Sequence, residues 1–131
     1  MSRSVSVACG LAALLVGTAA YAGRLQTPPV TRSGAADTDV RCAVTNASKK
    51  PIGPLTMTIY RANGTVAQSI PGIAVSPNES RIILALNGNL GITSAAFCVV
   101  EGKGVRKART PATLCLTSAG NGNCLAATTV P

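Results

Sequence analysis

Between positions 55 and 60, Leu55, Met57 and Ile59 alternate with Thr56, Thr58 and Tyr60. A period of two puts three apolar side chains on one face of a strand and a Thr-rich face, able to meet water, on the other. The same pattern recurs along the chain. Val40, Cys42 and Val44 alternate with Arg41, Ala43 and Thr45, and the run Asn46 to Pro51 ends that strand. Asn63-Gly64 is a type I′ turn signal and predicts a hairpin returning over Val66–Ile70. Pro71-Gly72 breaks that strand, and Ile73–Val75 forms a short one before Pro77-Asn78. Arg81–Leu86 is nearly continuous apolar sequence, closed by Asn87-Gly88. Ile92–Val100 is apolar on both faces, which predicts a central strand with Phe97 in the core. Thr113–Thr117 and Cys124–Val130 form a last pair. No internal repeat and no capped amphipathic stretch of helix length interrupts the series. The spacing predicts an all-β fold, an antiparallel β-sandwich of seven or eight short strands.

Residues 1–22 read as a signal peptide. Arg3 supplies the positive start, Val5–Val16 the apolar run, and Ala20-Tyr21-Ala22 a small-x-small site with cleavage before Gly23. The run is short for a membrane span of about 20 apolar residues. An uncleaved N-terminal anchor is the alternative. Cleavage leaves 109 residues with a net charge of +7, Arg3 having gone. Residues 23–38, with Pro28-Pro29, read as a flexible leader, and 39–131 as a single sandwich domain. No transmembrane helix is expected after cleavage, and the product is expected in the periplasm or outside the cell.

Cysteine usage fits export. Cys9 leaves with the signal, and Cys42, Cys98, Cys115 and Cys124 remain. Four cysteines in a small exported domain imply two disulfides, with three possible connectivities. We favour Cys42–Cys98 with Cys115–Cys124. The first would join distant strands as the inter-sheet bridge of immunoglobulin-like architecture does, here without its companion Trp. The second conflicts with a two-residue Asn121-Gly122 turn, which would set Cys124 opposite Ala119, and so predicts a wider loop. No CxxC-like spacing suggests zinc.

The composition excludes much chemistry. Twelve Lys or Arg stand against four Asp or Glu, and there is no His. Triads, Cys-His dyads and His metal ligands are therefore absent. Neither GxSxG nor SxxK occurs. Glu79 and Glu101 are the only acids beyond Asp37 and Asp39, and surface solvation accounts for both. We expect no enzyme activity and no cofactor, with an unrecognised hydrolase as the least favoured reading. The densest charge is Lys103, Arg106, Lys107 and Arg109, four cations in seven residues. They suit an anionic envelope component or a protein partner, against the plain alternative of a solvated loop. Lys49-Lys50 is a second, smaller basic spot. Stacking aromatics for nucleic acid are nearly missing, since only Tyr60 and Phe97 lie beyond the signal. Asn46-Ala47-Ser48, Asn63-Gly64-Thr65 and Asn78-Glu79-Ser80 match the glycosylation acceptor pattern.

Through Cys42-Ala43-Val44-Thr45-Asn46, Phe97-Cys98-Val99-Val100 and Leu114-Cys115-Leu116, the chain resembles a loose group of small exported bacterial proteins of unknown function. The resemblance spans roughly residues 39–130. It implies export and a Cys-stapled β domain, and it transfers no activity. The expectation is an exported, non-catalytic binding module of unknown ligand that uses its basic loop to meet an anionic envelope component or partner. The alternative is a structural or surface-assembly protein, built edge to edge from Thr-rich strands.

Overall fold

The computed structural model describes residues 22–31, 38–90, 95–118 and 124–130. The expected signal peptide lies outside them, apart from Ala22. In chain order the elements are β1 (Ala22–Gln26), β2 (Val30–Thr31), β3 (Thr38–Thr45), β4 (Ile52–Arg61), β5 (Val66–Val75), β6 (Ser80–Ala85), a one-turn α1 (Asn87–Leu90), β7 (Ala95–Lys103), β8 (Ala112–Ser118) and β9 (Cys124–Val130). They form two antiparallel sheets. One runs β1-β7-β4-β5, with β2 also on β7, and the other runs β6-β3-β8-β9. The all-β sandwich read from the sequence is the fold.

The alternating runs explain the core. Val40, Cys42 and Val44 of β3 point inward, as do Leu55, Met57 and Ile59 of β4 and Ala96, Cys98 and Val100 of β7. Leu114 and Leu116 of β8 and Ile83 and Ala85 of β6 complete the layer. Among the described residues, aliphatic side chains with Met57 and the bridging cysteines fill the gap of about 10 Å between sheets, and no aromatic joins them. Cys42–Cys98 bridges the sheets, with Cα atoms 6.1 Å apart. Cys115 is also disulfide-bonded. The Cys124 side chain lies outside the described residues. In register Cys124 faces Thr117 and Cys115 faces Ala127, with a bulge between Leu116 and Thr117. Cys115 therefore lies diagonal to Cys124, not directly opposite. A two-residue turn at Asn121-Gly122 would set Cys124 opposite Ala119, which the pairing with Thr117 does not fit; the connection itself lies outside the described residues.

Several local expectations are corrected. The flexible leader expected over 23–38 carries strand over 23–26 and 30–31, while 32–37 lie outside the described residues. Leu25 and Val30 bury their side chains, and between them Thr27 bonds Cys98 twice. Its N–H donates to the Cys98 carbonyl at 2.9 Å, and its hydroxyl accepts the Cys98 N–H at 2.9 Å. Those bonds carry the edge past Pro28-Pro29. The Asn63-Gly64 turn is not type I′, since Gly64 has positive φ and Asn63 does not. The Gly64 N–H donates to the Arg61 carbonyl and the Arg61 N–H to the Thr65 carbonyl, giving the three-residue loop with a left-handed glycine at its end. Pro71-Gly72 does not divide β5. It forms a bulge on an edge strand, where a missing N–H is tolerated. Phe97 is not core. It faces outward and stacks on Tyr60, centroids 5.1 Å apart. The Thr-rich face of β4 is only partly wet, because Thr58 is buried and its hydroxyl bonds that of Ser69 at 2.9 Å.

Candidate basic cleft

Because β3 and β7 run the same way, their following loops, 46–51 and 104–111, emerge at one end of the sandwich. Backbone bonds tie them together. The Thr45 N–H donates to the Pro111 carbonyl at 3.0 Å and the Ala47 N–H to the Arg109 carbonyl at 2.9 Å. Two basic spots more than fifty positions apart in sequence thus meet.

Each loop is held from beneath. Asn46 has no exposed surface. Its Nδ2 donates to the carbonyls of Lys50 at 2.8 Å and Val75 at 3.0 Å, and its Oδ1 accepts the Ser48 N–H at 3.0 Å. Its own N–H donates to the Glu79 carbonyl, and its carbonyl accepts the Asn78 N–H. This is an Asx turn fastened to two neighbouring segments. It presents Lys49 and Lys50 outward. On the other loop Val105 and Thr110 are buried, and the Thr110 hydroxyl accepts the Arg106 N–H at 3.1 Å. The Arg109 N–H donates to the Arg106 carbonyl, closing a turn over Arg106–Arg109.

The loop leaves β7 through Gly102, which has φ +146° and faces Gly23 in register. A Cβ on Gly102 would lie 2.4 Å from the Pro54 carbonyl oxygen, and one on Gly23 would lie 1.9 Å from that of Val105. Two glycines let three backbone segments close up where the loop folds back.

Between the loops lies a cleft of about 830 Å³. Lys49, Lys50, Lys103, Arg106 and Arg109 line it, with Ala47, Pro51 and Ile52 as its apolar part. Among the described residues no acidic side chain lines it. Three of the four cations singled out in the sequence are therefore brought together, and Lys107, exposed on the same turn, stays off the lining. Lys49 and Lys50, the second basic spot of the sequence, join them. Only the strand order puts them there. Glu79 and Glu101 line neither this cleft nor the groove beside β6. Each pairs with an arginine on the surface, Glu101 with Arg24 at 3.9 Å and Glu79 with Arg81 at 4.0 Å.

Among the described residues no cluster of His, Cys, Asp and Glu is placed to hold a metal. None of their helices is long and apolar enough to cross a membrane. The Tyr60–Phe97 stack, on the outer sheet face towards the other end of β4 and β7, is not among the residues lining the cleft. No model of a protein family matches the chain, and neither a curated protein nor a solved structure matches it.

Proposed function

We propose that the protein is a small exported, non-catalytic binding module whose basic cleft docks on an anionic component of the cell envelope. The convergence of five cations on one acid-free concavity carries this reading. Such a surface attracts anions over about a Debye length, 8–10 Å, and a concave wall of low dielectric strengthens that field. The anchored loops lower the ordering cost of binding. The separation of the aromatic pair from the cleft favours phosphate- or carboxylate-bearing ligands over stacked bases. The buried Cys42–Cys98 bridge supports an oxidising compartment, in keeping with a cleaved signal and a periplasmic or extracellular product. The resemblance to small exported Cys-stapled β domains belongs to the same proposal.

The test is a titration of the oxidised protein against vesicles containing lipopolysaccharide, at low and moderate salt. Basic residues at an anionic membrane contribute about 1 kcal/mol each. Changing Lys49, Lys50, Lys103, Arg106 and Arg109 together to Ser should therefore abolish measurable binding. Lys107→Ser alone should change it less than three-fold. Binding that ignores salt, or that survives the five-fold variant, overturns the proposal.

A further inference from the structure

Every large hydrophobic side chain that is strongly exposed among the described residues lies on β5, on β6 or directly after β6. These strands are the free edges of the two sheets on one side of the sandwich. The opposite side is closed differently, by Pro28-Pro29 and by the Thr128 hydroxyl donating to the Pro28 carbonyl at 2.9 Å.

β6 stands out. It pairs only with β3, so one row of its backbone groups has no strand partner among the described residues. Its outer row runs Ser80, Ile82 and Leu84, the last two 54% and 40% exposed, followed by Leu86 at 52%. Edge strands are normally blunted by a charge, a proline or a bulge. β6 has one charge, Arg81, and it is turned away across the seam. Its Nε donates to the Ala74 carbonyl of β5 at 3.3 Å, and its guanidinium faces Glu79. A groove of about 330 Å³, lined by Ile70, Ile73, Ala74, Ile82 and Ile83 together with Arg81, runs beside this edge.

We infer that β6 is the interface to a second copy of this chain, paired antiparallel about a two-fold axis through Ile83. That register sets Ile82 of each copy against Leu84 of the other, twice, and places no like charges directly opposite. The charge distribution selects this direction. β6 starts at the basic end, where Ser80 faces Thr45. Antiparallel pairing sends the second copy's basic cleft to the opposite pole. The ten residues of β4 set the length of the domain at about 33 Å, several Debye lengths. Parallel pairing would put two strongly basic ends side by side. The two-fold dimer uses both β6 edges and closes, carrying one cleft at each pole. This inference does not depend on what the cleft binds.

Sedimentation equilibrium of the purified oxidised protein, from about 5 to 200 μM, tests it. The expected result is a reversible monomer–dimer equilibrium that persists at high salt. Ile82→Lys with Leu84→Lys should weaken it at least ten-fold. Both side chains are exposed in the single copy, and an unchanged circular dichroism spectrum confirms that the variant folds. Ala127→Lys, an exposed position on β9, should leave the dimer intact and controls for added charge. A monomer throughout, open-ended larger assemblies, a dimer that withstands the double variant, or equal loss with Ala127→Lys overturns the inference.

Discussion

Replacing Asn46 with Ala removes no charge from the cleft, yet it should both destabilise the fold and weaken anion binding. The side chain is wholly buried. Its bond to the Val75 carbonyl lies in buried surroundings, whereas those to Lys50 and Ser48 are only part-buried. Stranding a buried acceptor costs about 1–3 kcal/mol, and each part-buried bond contributes about 0.5–1.5 kcal/mol. The main-chain bonds from Asn46 to Glu79 and Asn78 do not depend on the side chain. Water can reach part of the loop once it loosens, so the net loss should be about 3 kcal/mol. That is a large share of a typical total stability of about 5–15 kcal/mol. Urea denaturation of the oxidised protein measures it. With a slope of about 1.5 kcal/mol per molar, the midpoint should fall by about 2 M at constant slope. Lipopolysaccharide binding, measured below the transition, should weaken several-fold because Lys49 and Lys50 lose their fixed loop. Asn46→Asp should be worse than Ala, since it turns a carboxylate oxygen towards two carbonyls. A loss under about 1 kcal/mol with unchanged binding would refute the reasoning, because it would mean that the loop holds its shape without this anchor.

Three further outcomes follow from the same geometry. Cys42→Ala with Cys98→Ala opens a link across 56 positions, and loop entropy alone sets the expected loss at about 4 kcal/mol. Urea midpoints of the variant and the oxidised protein check this, and near-identical curves would contradict it. Gly102→Ala combines a left-handed backbone with a 2.4 Å approach to the Pro54 oxygen, and should cost at least about 2 kcal/mol. Gly88→Ala meets open space in α1 and should be neutral or stabilise slightly, so thermal melts of the pair separate strain from simple substitution. In a glycosylating host, folded secreted protein should carry glycan only at Asn63 or Asn78, which are exposed. A glycopeptide at Asn46 in a mass spectrum of that material would contradict its burial.

Where local pattern and tertiary role coincide, the sequence was readable. The alternation at 40–45 and 55–59 is the core face of β3 and β4, and the Cys42–Cys98 bridge followed from placing those cysteines on separate strands. What escaped depends on partners remote in the chain. β1 and β2 look like leader because prolines and polar residues dominate 23–31. Thr27 finds its bonding partner 71 positions away, and Leu25 its cover in the assembled core. Phe97 sits in an apolar run, but the parity of β7 is set by Cys98, which must face inward for the bridge, so its neighbour faces out. The Asn63-Gly64 pair marks a turn correctly and its type wrongly, because Ala62 lengthens the loop by one residue. For the cleft, the loop at 103–109 was visible as charge. Its union with Lys49-Lys50 was not, since that depends on β3 and β7 ending at the same pole.

The direction of the outer strands has a practical side. β1 opens opposite Lys103, and β9 finishes opposite Ala112, so chain is fed in and drawn out at the pole that holds the cleft. A purification tag, fluorophore or fused domain joined at either place would sit at the cleft's own pole, and an acidic one would compete for it. The hairpin tip at Asn63-Gly64 lies at the other pole. It is the place to attach a probe, or to tether the protein to a sensor surface, with the cleft left clear.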